Sequence, residues 1–105
     1  MRIGIPVYQD VNLFDVAGPM EIFHWAGRRN DLTTILISEN GKPVTSINGV
    51  RFHVDADFTH TTELDILWVP GGAVSALEDI MKTPNSPYLN YIQSCLLYTS
   101  PSPRD

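Results

Sequence analysis

Hydrophobic residues concentrate in three short runs along the chain, at residues 2–8, 32–38 and 65–69. Each run is mostly apolar and is followed by a polar or glycine-containing turn, a pattern that predicts a strand buried in a sheet. Pro6 has no N–H to donate to a neighbouring strand. We therefore expect it to mark the end of the first strand or to face a gap in the pairing.

A helix is predicted over residues 13–26, with a proline in its middle. One interpretation makes Gly18 the cap and places Pro19 in the first turn, where its missing N–H does no harm. The other is a single longer helix that bends at Pro19. In both interpretations Gly27 ends the helix. The residues predicted to form its broad apolar face are Ile22, Phe23, Trp25 and Ala26.

A β-hairpin is predicted after the second apolar run and before the third. Residues 43–46 and 50–55 flank the pair Asn48-Gly49, which is typical of a type I′ turn with two positive φ angles. Polar residues alternate with apolar ones after this turn, so one face of the hairpin is expected to be solvated. The polar residues of that face are Arg51, His53 and Asp55.

Two further helices are predicted after the third strand. The first covers residues 75–82 and is broken by Thr83-Pro84. The second is capped by Asn85 or Ser86, has Pro87 at its first position and is expected to end near Cys95. Their predicted apolar faces consist of Ala76, Leu77, Ile80 and Met81 in the first helix, and of Leu89, Ile92 and Leu96 in the second.

Strands of this kind joined by helices predict a parallel α/β sheet. A doubly wound sheet usually has about five or six strands, so this fold is expected to stop halfway. Where another strand is due, residues 96–105 become rich in Ser and Pro. This segment resembles translated sequencing-adapter read-through, the alternative being a flexible native tail. In both cases we expect residues 99–105 to be detached from the fold and to take no part in function.

Composition excludes several classes of protein. The 105 residues are 43% hydrophobic and 18% charged, an ordinary globular mixture. No apolar run approaches the roughly 18 residues of a membrane span, and the N-terminal run is too short for a signal peptide, so a cytoplasmic protein is expected. The net charge of −5 and the scattered basic residues argue against nucleic-acid binding by this segment.

Chemistry-bearing residues are few. The single cysteine, Cys95, excludes an internal disulfide and a multi-cysteine zinc site. His24, His53 and His60 have no ligand spacing, so no metal site is predicted. No cofactor is expected either, because Gly71-Gly72 belongs to neither a dinucleotide fingerprint nor a phosphate-binding loop.

Four segments together resemble a known family. They are Phe14–Phe23 with its Asp-Val-Ala-Gly-Pro sequence, residues 43–46 with 49–52, Asp57-Phe58, and the Leu64–Gly72 run that ends in Val-Pro-Gly-Gly. Their order and spacing resemble the ThiJ/PfpI superfamily, also called DJ-one, whose domain is a flavodoxin-like sandwich of the class I glutamine amidotransferase-like type. The resemblance covers residues 2–95 and about half of such a domain, so it implies a flavodoxin-like parallel-sheet sandwich truncated to its N-terminal half.

The resemblance also implies a site. Asp15 matches the family's carboxyl group, which holds or shares a proton beside a nucleophilic cysteine, and Gly71 and Gly72 match the turn whose N–H groups stabilise an oxyanion. The residues alone leave Asp15 open as a helix cap and Glu21 open as a second acid or a first-turn carboxylate. Cys95 lies within a helical pattern and is interpreted as structural, so the nucleophile is expected beyond this chain.

Two functions are implied for a longer parent protein. Asp15 before Ala-Gly-Pro resembles the isonitrile hydratase branch, which implies a cysteine-dependent hydratase or hydrolase of small molecules. The same segment is similar to the amidase-like sensor domain of AraC-type regulators, which implies ligand sensing; a plain binding module is the third alternative. A homodimeric parent is implied, and the chain by itself is expected to be inactive and poorly stable. Asp15 and residues 70–72 should lie at the same edge of the sheet.

Overall fold

The computed structural model describes residues 1–61 and 63–99 and has mixed α/β architecture. Four parallel strands form one sheet in the order β5-β2-β1-β6, and β3 and β4 form a separate antiparallel pair. The predicted parallel α/β class is therefore confirmed. The elements are β1 (Arg2–Pro6), α1 (Leu13–Asn30), β2 (Thr33–Ser38), β3 (Val44–Thr45), β4 (Arg51–Phe52), β5 (Ala56–Asp57), β6 (Ile66–Leu67), α2 (Val74–Lys82) and α3 (Pro87–Thr99).

β1 is central in this sheet and is covered on both faces. It pairs with β2 from Arg2↔Thr33 to Pro6↔Ile37, so Pro6 marks the end of the strand, one of the two outcomes expected for it. Ile5 packs in a cluster with Val16 of α1, whereas a Cβ on the neighbouring Gly4 would meet side-chain atoms of Leu64 and Ile37. Leu64 and Ile37 belong to a second cluster with Tyr91 and Cys95 of α3. Since successive strand residues face opposite sides, α1 and α3 lie on opposite faces of the sheet.

α1 is one helix, and the interpretation that begins it near Pro19 is wrong. The side chain of Asn12 caps the helix by accepting from Phe14 N at 3.0 Å, and Pro19 is buried inside it. Gly27 does not end the helix either, because the cap is Asp31, in the left-handed conformation with φ 55°. An asparagine at the loop end satisfies the free N–H groups of the first turn, which Gly18 has no side chain to do.

The apolar face of α1 also differs from the expected one. Val16 and Pro19 are buried and Met20 packs against the core, whereas Ile22 is 68% and Trp25 is 56% exposed. With 3.6 residues per turn, these two sets of residues lie on different sides of the helix. The exposed pair therefore forms part of the molecular surface, not of the core.

The hairpin is confirmed, but its turn is of another type. Val44 pairs with Phe52 in the antiparallel ladder. Gly49 has φ 87°, but Asn48 has no positive φ, and Gly49 N donates to Ser46 O at 3.0 Å. This arrangement is a tight turn closed by a left-handed glycine rather than the predicted type I′ turn. Within the segment predicted as strand over 50–55, only β4 is strand, and β5 follows that segment and pairs with β2.

α3 begins as predicted, and its buried face agrees with the expected one only in part. Ser86 is its cap, with Leu89 N 3.4 Å from Ser86 Oγ, and Pro87 is its first residue. Tyr88, Tyr91 and Cys95 are buried. Of the predicted face, Leu89 is exposed, Ile92 is half-buried against the core, and the side chain of Leu96 lies outside those described. The Tyr88 hydroxyl donates to Pro6 O of β1, and the Tyr91 hydroxyl donates to Thr61 O in the loop before β6. Because both hydroxyl groups have partners, these tyrosines can form the buried face. The helix continues past Cys95 to Thr99, and residues 100–105 lie outside the described residues.

The third predicted strand is shorter and more exposed than expected. β6 pairs only with β1 among the described residues, and Ile66, Trp68 and Val69 are all exposed. The expectation that this run is buried on both faces is therefore wrong for the described chain. None of the helices within the described residues is long and apolar enough to cross a membrane.

Candidate functional site

The loops that follow β1 and β6 meet at one edge of the sheet. Asn12 N donates to Gly71 O at 2.8 Å and Ala73 N donates to Asp10 O at 3.0 Å, which joins the two loops as a short antiparallel bridge. The chain goes from β1 through α1 to β2 on one side, while β6 pairs on the other side of β1. Such a reversal point at the carboxyl ends of parallel strands is where open α/β sheets form ligand sites.

Asp15 reaches this bridge from the first turn of α1. Its Oδ2 atom accepts a hydrogen bond from Gly71 N at 3.1 Å, and the side chain is half-buried. The expected placement of Asp15 and the 70–72 turn at one edge is thus confirmed. The alternative of a capping aspartate is wrong, because Asn12 performs that role. Its carboxylate therefore binds the turn and not the start of its own helix.

Other groups approach both glycines closely. A Cβ on Gly71 would lie 2.9 Å from Asp15 Oδ2, and a Cβ on Gly72 would lie 2.8 Å from Asp10 O and from the Tyr8 hydroxyl. Gly71 N–H is already engaged by Asp15, whereas Gly72 N–H makes no hydrogen bond within the described part of the chain. Of the two predicted oxyanion donors, only Gly72 thus has its N–H available, and the oxyanion role itself stays a prediction.

Tyr8 is a member of the site that sequence reasoning missed. Its buried hydroxyl donates to Pro70 O at 2.8 Å and so holds the glycine turn against the end of β1. Burial, together with the nearby charge of Asp15, raises the pKa of Tyr8 to about 12. The ring of Tyr88 packs edge-on against it at 5.0 Å. Its position at the carboxyl end of the first apolar run was the signal that could have identified it.

Two other carboxylates lie elsewhere. Glu21 is exposed in the middle of α1, where its Oε2 accepts from Trp25 Nε1 at 3.3 Å. The first-turn interpretation of Glu21 is wrong, because the helix begins eight residues earlier, at Leu13. Asp57 lies within 2.9 Å of His60 Nδ1, and hydrogen bonds from His60 lower the pKa of that carboxyl group.

The remaining candidates also lie away from Asp15. His24 and His53 are exposed, and no group of potential metal ligands occurs among the described residues. Cys95 is 0% exposed in the middle of α3, and burial raises the pKa of its thiol. That location agrees with a structural cysteine, while its lack of a catalytic role stays a prediction.

An open cleft of about 580 Å³ lies next to the site, at the carboxyl ends of β1 and β2. Its size is within the range of small-molecule sites. Tyr8 borders both this cleft and the glycine turn, so a molecule bound in the cleft would contact the group that holds the turn. Residues that line the cleft include Val7, Tyr8, Lys42, Arg51, Phe58 and Tyr88.

Comparison with known sequences identifies related proteins. A sequence profile of the DJ-1/PfpI family matches residues 1–84. A Streptomyces lividans protein described as "Uncharacterized protein in cpoL 5'region" is 33% identical over 72 residues. That match covers 68% of this chain and 51% of the relative, so the chain spans about half the length of the curated protein it matches.

Solved structures share the fold. A ThiJ/PfpI family protein from Pseudomonas syringae superposes with a TM-score of 0.74 at 23% identity, over 89% of this chain and 36% of that chain. An AraC family transcriptional regulator from Pseudomonas putida gives a TM-score of 0.69 at 20% identity, over 92% of this chain and 51% of that chain. These likenesses establish a common fold over the matched residues, and the matches cover 36% and 51% of the two solved chains.

Proposed function

Because the chain belongs to the DJ-1/PfpI family, we propose that its Asp15 edge is the acid-bearing half of a small-molecule active site in a longer protein. The parent is a cysteine-dependent hydratase or hydrolase similar to isonitrile hydratase. The observation that carries this proposal is the 3.1 Å hydrogen bond from Gly71 N to Asp15 Oδ2 at the reversal point of the sheet. A carboxyl group at this edge is within reach of both a substrate and a residue from a neighbouring strand.

The proposed chemistry divides between this chain and the remainder of the parent. A cysteine thiolate from the remainder adds to the electrophilic carbon of the substrate, forming a carbon–sulfur bond. Asp15 takes the proton of the cysteine thiol as the thiolate forms, and passes it to the substrate in that step. Water then adds to the same carbon, the sulfur leaves as thiolate, and a proton of the water returns to Asp15. Gly72 N–H is the donor available for negative charge that develops on the substrate.

The open edge of β6 supports a longer parent. Ile66, Trp68 and Val69 are exposed beside a strand that has one sheet neighbour among the described residues. Apolar strands of parallel sheets are normally covered on both faces. A further strand and helix from the remainder of the parent would bury these side chains and bring the nucleophile beside Asp15.

A ligand-sensing domain is the second candidate. Two observations favour it: the fold similarity to an AraC family regulator and the cleft of about 580 Å³ next to Tyr8. In that case the cleft binds a small molecule, and a DNA-binding module elsewhere in the parent provides the response. A homodimeric parent stays a prediction for both candidates, and exposed Ile22 and Trp25 on α1 are available for such contact.

The deciding experiment begins with the source DNA downstream of codon 95. The enzyme proposal expects a strand followed by a cysteine on a tight turn, and turnover of a small isonitrile by the extended protein. Asp15→Asn should then lower kcat/KM by about 10²–10⁴-fold, whereas Glu78→Gln, an exposed carboxylate on α2, should leave it unchanged. The 105-residue chain should show no turnover.

Other results would overturn the enzyme proposal. A helix-turn-helix pair downstream, with no turnover and with ligand-dependent DNA binding, supports the sensor instead. Equal loss of activity in both carboxylate variants would remove Asp15 from the proposed role. Turnover by the 105-residue chain that disappears in Cys95→Ser would transfer the nucleophilic role to Cys95.

A further inference from the structure

Pro19 leaves a carbonyl group of α1 without its usual donor. In an α-helix the N–H of each residue donates to the C=O four residues earlier. The donor for Asp15 C=O would be residue 19, but proline has no N–H. Trp68 replaces it: its indole Nε1 donates to Asp15 O at 3.2 Å. The helix therefore accepts an internal proline, in part because a side chain 53 residues away satisfies the unpaired carbonyl.

The orientation of the indole is fixed by the same side of α1. Asp15, Pro19 and Phe23 are spaced four residues apart and so form one stripe along the helix. The rings of Phe23 and Trp68 meet edge-on, with centroids 5.9 Å apart and an interplanar angle of 79°. This contact directs the indole N–H of Trp68 toward the N-terminal end of the stripe, where the free carbonyl lies.

We propose that Trp68 is a positioning residue for Asp15. The segment that follows β6 holds this aspartate at two points, since Trp68 binds its backbone carbonyl and Gly71 binds its carboxylate. The two donors are three residues apart, so the separation of the two contacts is set by one short stretch of chain. The importance of this arrangement for catalysis rests on the proposed function, but the geometry itself does not.

The test compares Trp68→Phe in two backgrounds of the 105-residue chain, read at the backbone amide of Gly71 by NMR hydrogen exchange. Phenylalanine keeps a ring against Phe23 and removes only the N–H donor. In the natural sequence we expect the protection of Gly71 N–H to fall about fivefold, the effect of one hydrogen bond. In a Pro19→Ala background, alanine supplies the missing helical donor, so the same substitution should leave the protection of Gly71 unchanged.

A packing role for Trp68 predicts a different result. In that case Trp68→Phe lowers the exchange protection of Gly71 N–H by the same factor with and without Pro19→Ala, and this result overturns the proposal. No change in either background overturns it as well. The control is Trp25→Phe, which removes an exposed indole donor on the other side of α1 and should not affect Gly71. This experiment measures no turnover, so a negative result would leave the proposed function unaffected. An inactive parent protein would likewise leave the positioning role of Trp68 unaffected.

Discussion

Replacing Gly72 with alanine should destabilise the chain, even though the φ angle of Gly72 is not positive. The added Cβ would lie 2.8 Å from Asp10 O, from a ring carbon of Tyr8 and from the Tyr8 hydroxyl. Non-bonded carbon atoms prefer separations of about 3.5–4.0 Å. Neither neighbour is free to retreat, because Asp10 O accepts from Ala73 N and the Tyr8 hydroxyl donates to Pro70 O. We therefore expect a loss of about 1–3 kcal/mol in the free energy of unfolding, as for overpacked sites.

Two other glycines of the chain provide matched controls. A Cβ on Gly71 would meet only Asp15 Oδ2, the far end of a side chain that can rotate, so Gly71→Ala should lower the free energy of unfolding by less than about 1 kcal/mol. A Cβ on Gly18 meets nothing within 4 Å inside α1, so Gly18→Ala should stabilise by about 0.5–1 kcal/mol.

The assay is urea unfolding followed by circular dichroism, with each turn variant made in the Gly18→Ala background to gain stability. The free energy of unfolding should be highest for Gly18→Ala alone. It should be lower for the double variant Gly18→Ala/Gly71→Ala and lowest for the double variant Gly18→Ala/Gly72→Ala. If Gly72→Ala destabilises the chain no more than Gly71→Ala does, the loop around Asp10 and Tyr8 yields more easily than its hydrogen bonds imply, contrary to this prediction.

Three further predictions concern titration, the buried thiol and the open edge. Burial raises the pKa of Tyr8 to about 12 and raises that of Tyr88 further. Between pH 10 and about 12 only the unfolded chain loses these protons, so the free energy of unfolding should fall there by about 1.4 kcal/mol per pH unit for each tyrosine. Tyr8→Phe should reduce that slope by one tyrosine, and an unchanged slope would contradict the assignment. Cys95, fully buried, should react with a thiol reagent only as fast as the chain unfolds, so rapid labelling in native buffer would count against its burial. Val69→Lys, beside the open edge of β6, should increase the monomer fraction in sedimentation, whereas Val74→Lys on α2 should not; equal effects would mean that the edge is not the site of association.

The sequence alone determined the local elements and the position of Asp15. Apolar runs predict strands because a chain must bury such stretches, and three of the four strands of the main sheet lie within those runs. Ser86 and Pro87 predict the start of α3, because capping and the missing N–H of proline act within one turn. Asp15 and Gly71 were placed at one edge by a general property of parallel sheets, and their hydrogen bond confirms this.

The tertiary structure decided what depends on distant partners. The start of α1 was ambiguous because the carbonyl freed by Pro19 finds its donor in Trp68, far along the chain. The buried face of α3 contains Tyr88 rather than Leu89 because a carbonyl of β1 accepts the tyrosine hydroxyl. The exposure of the β6 run likewise depends on which strand lies next to it. The sequence of the run does not specify that neighbour. Local patterns specify what a segment prefers, whereas the partners that satisfy its polar groups and cover its apolar side chains come from other parts of the chain.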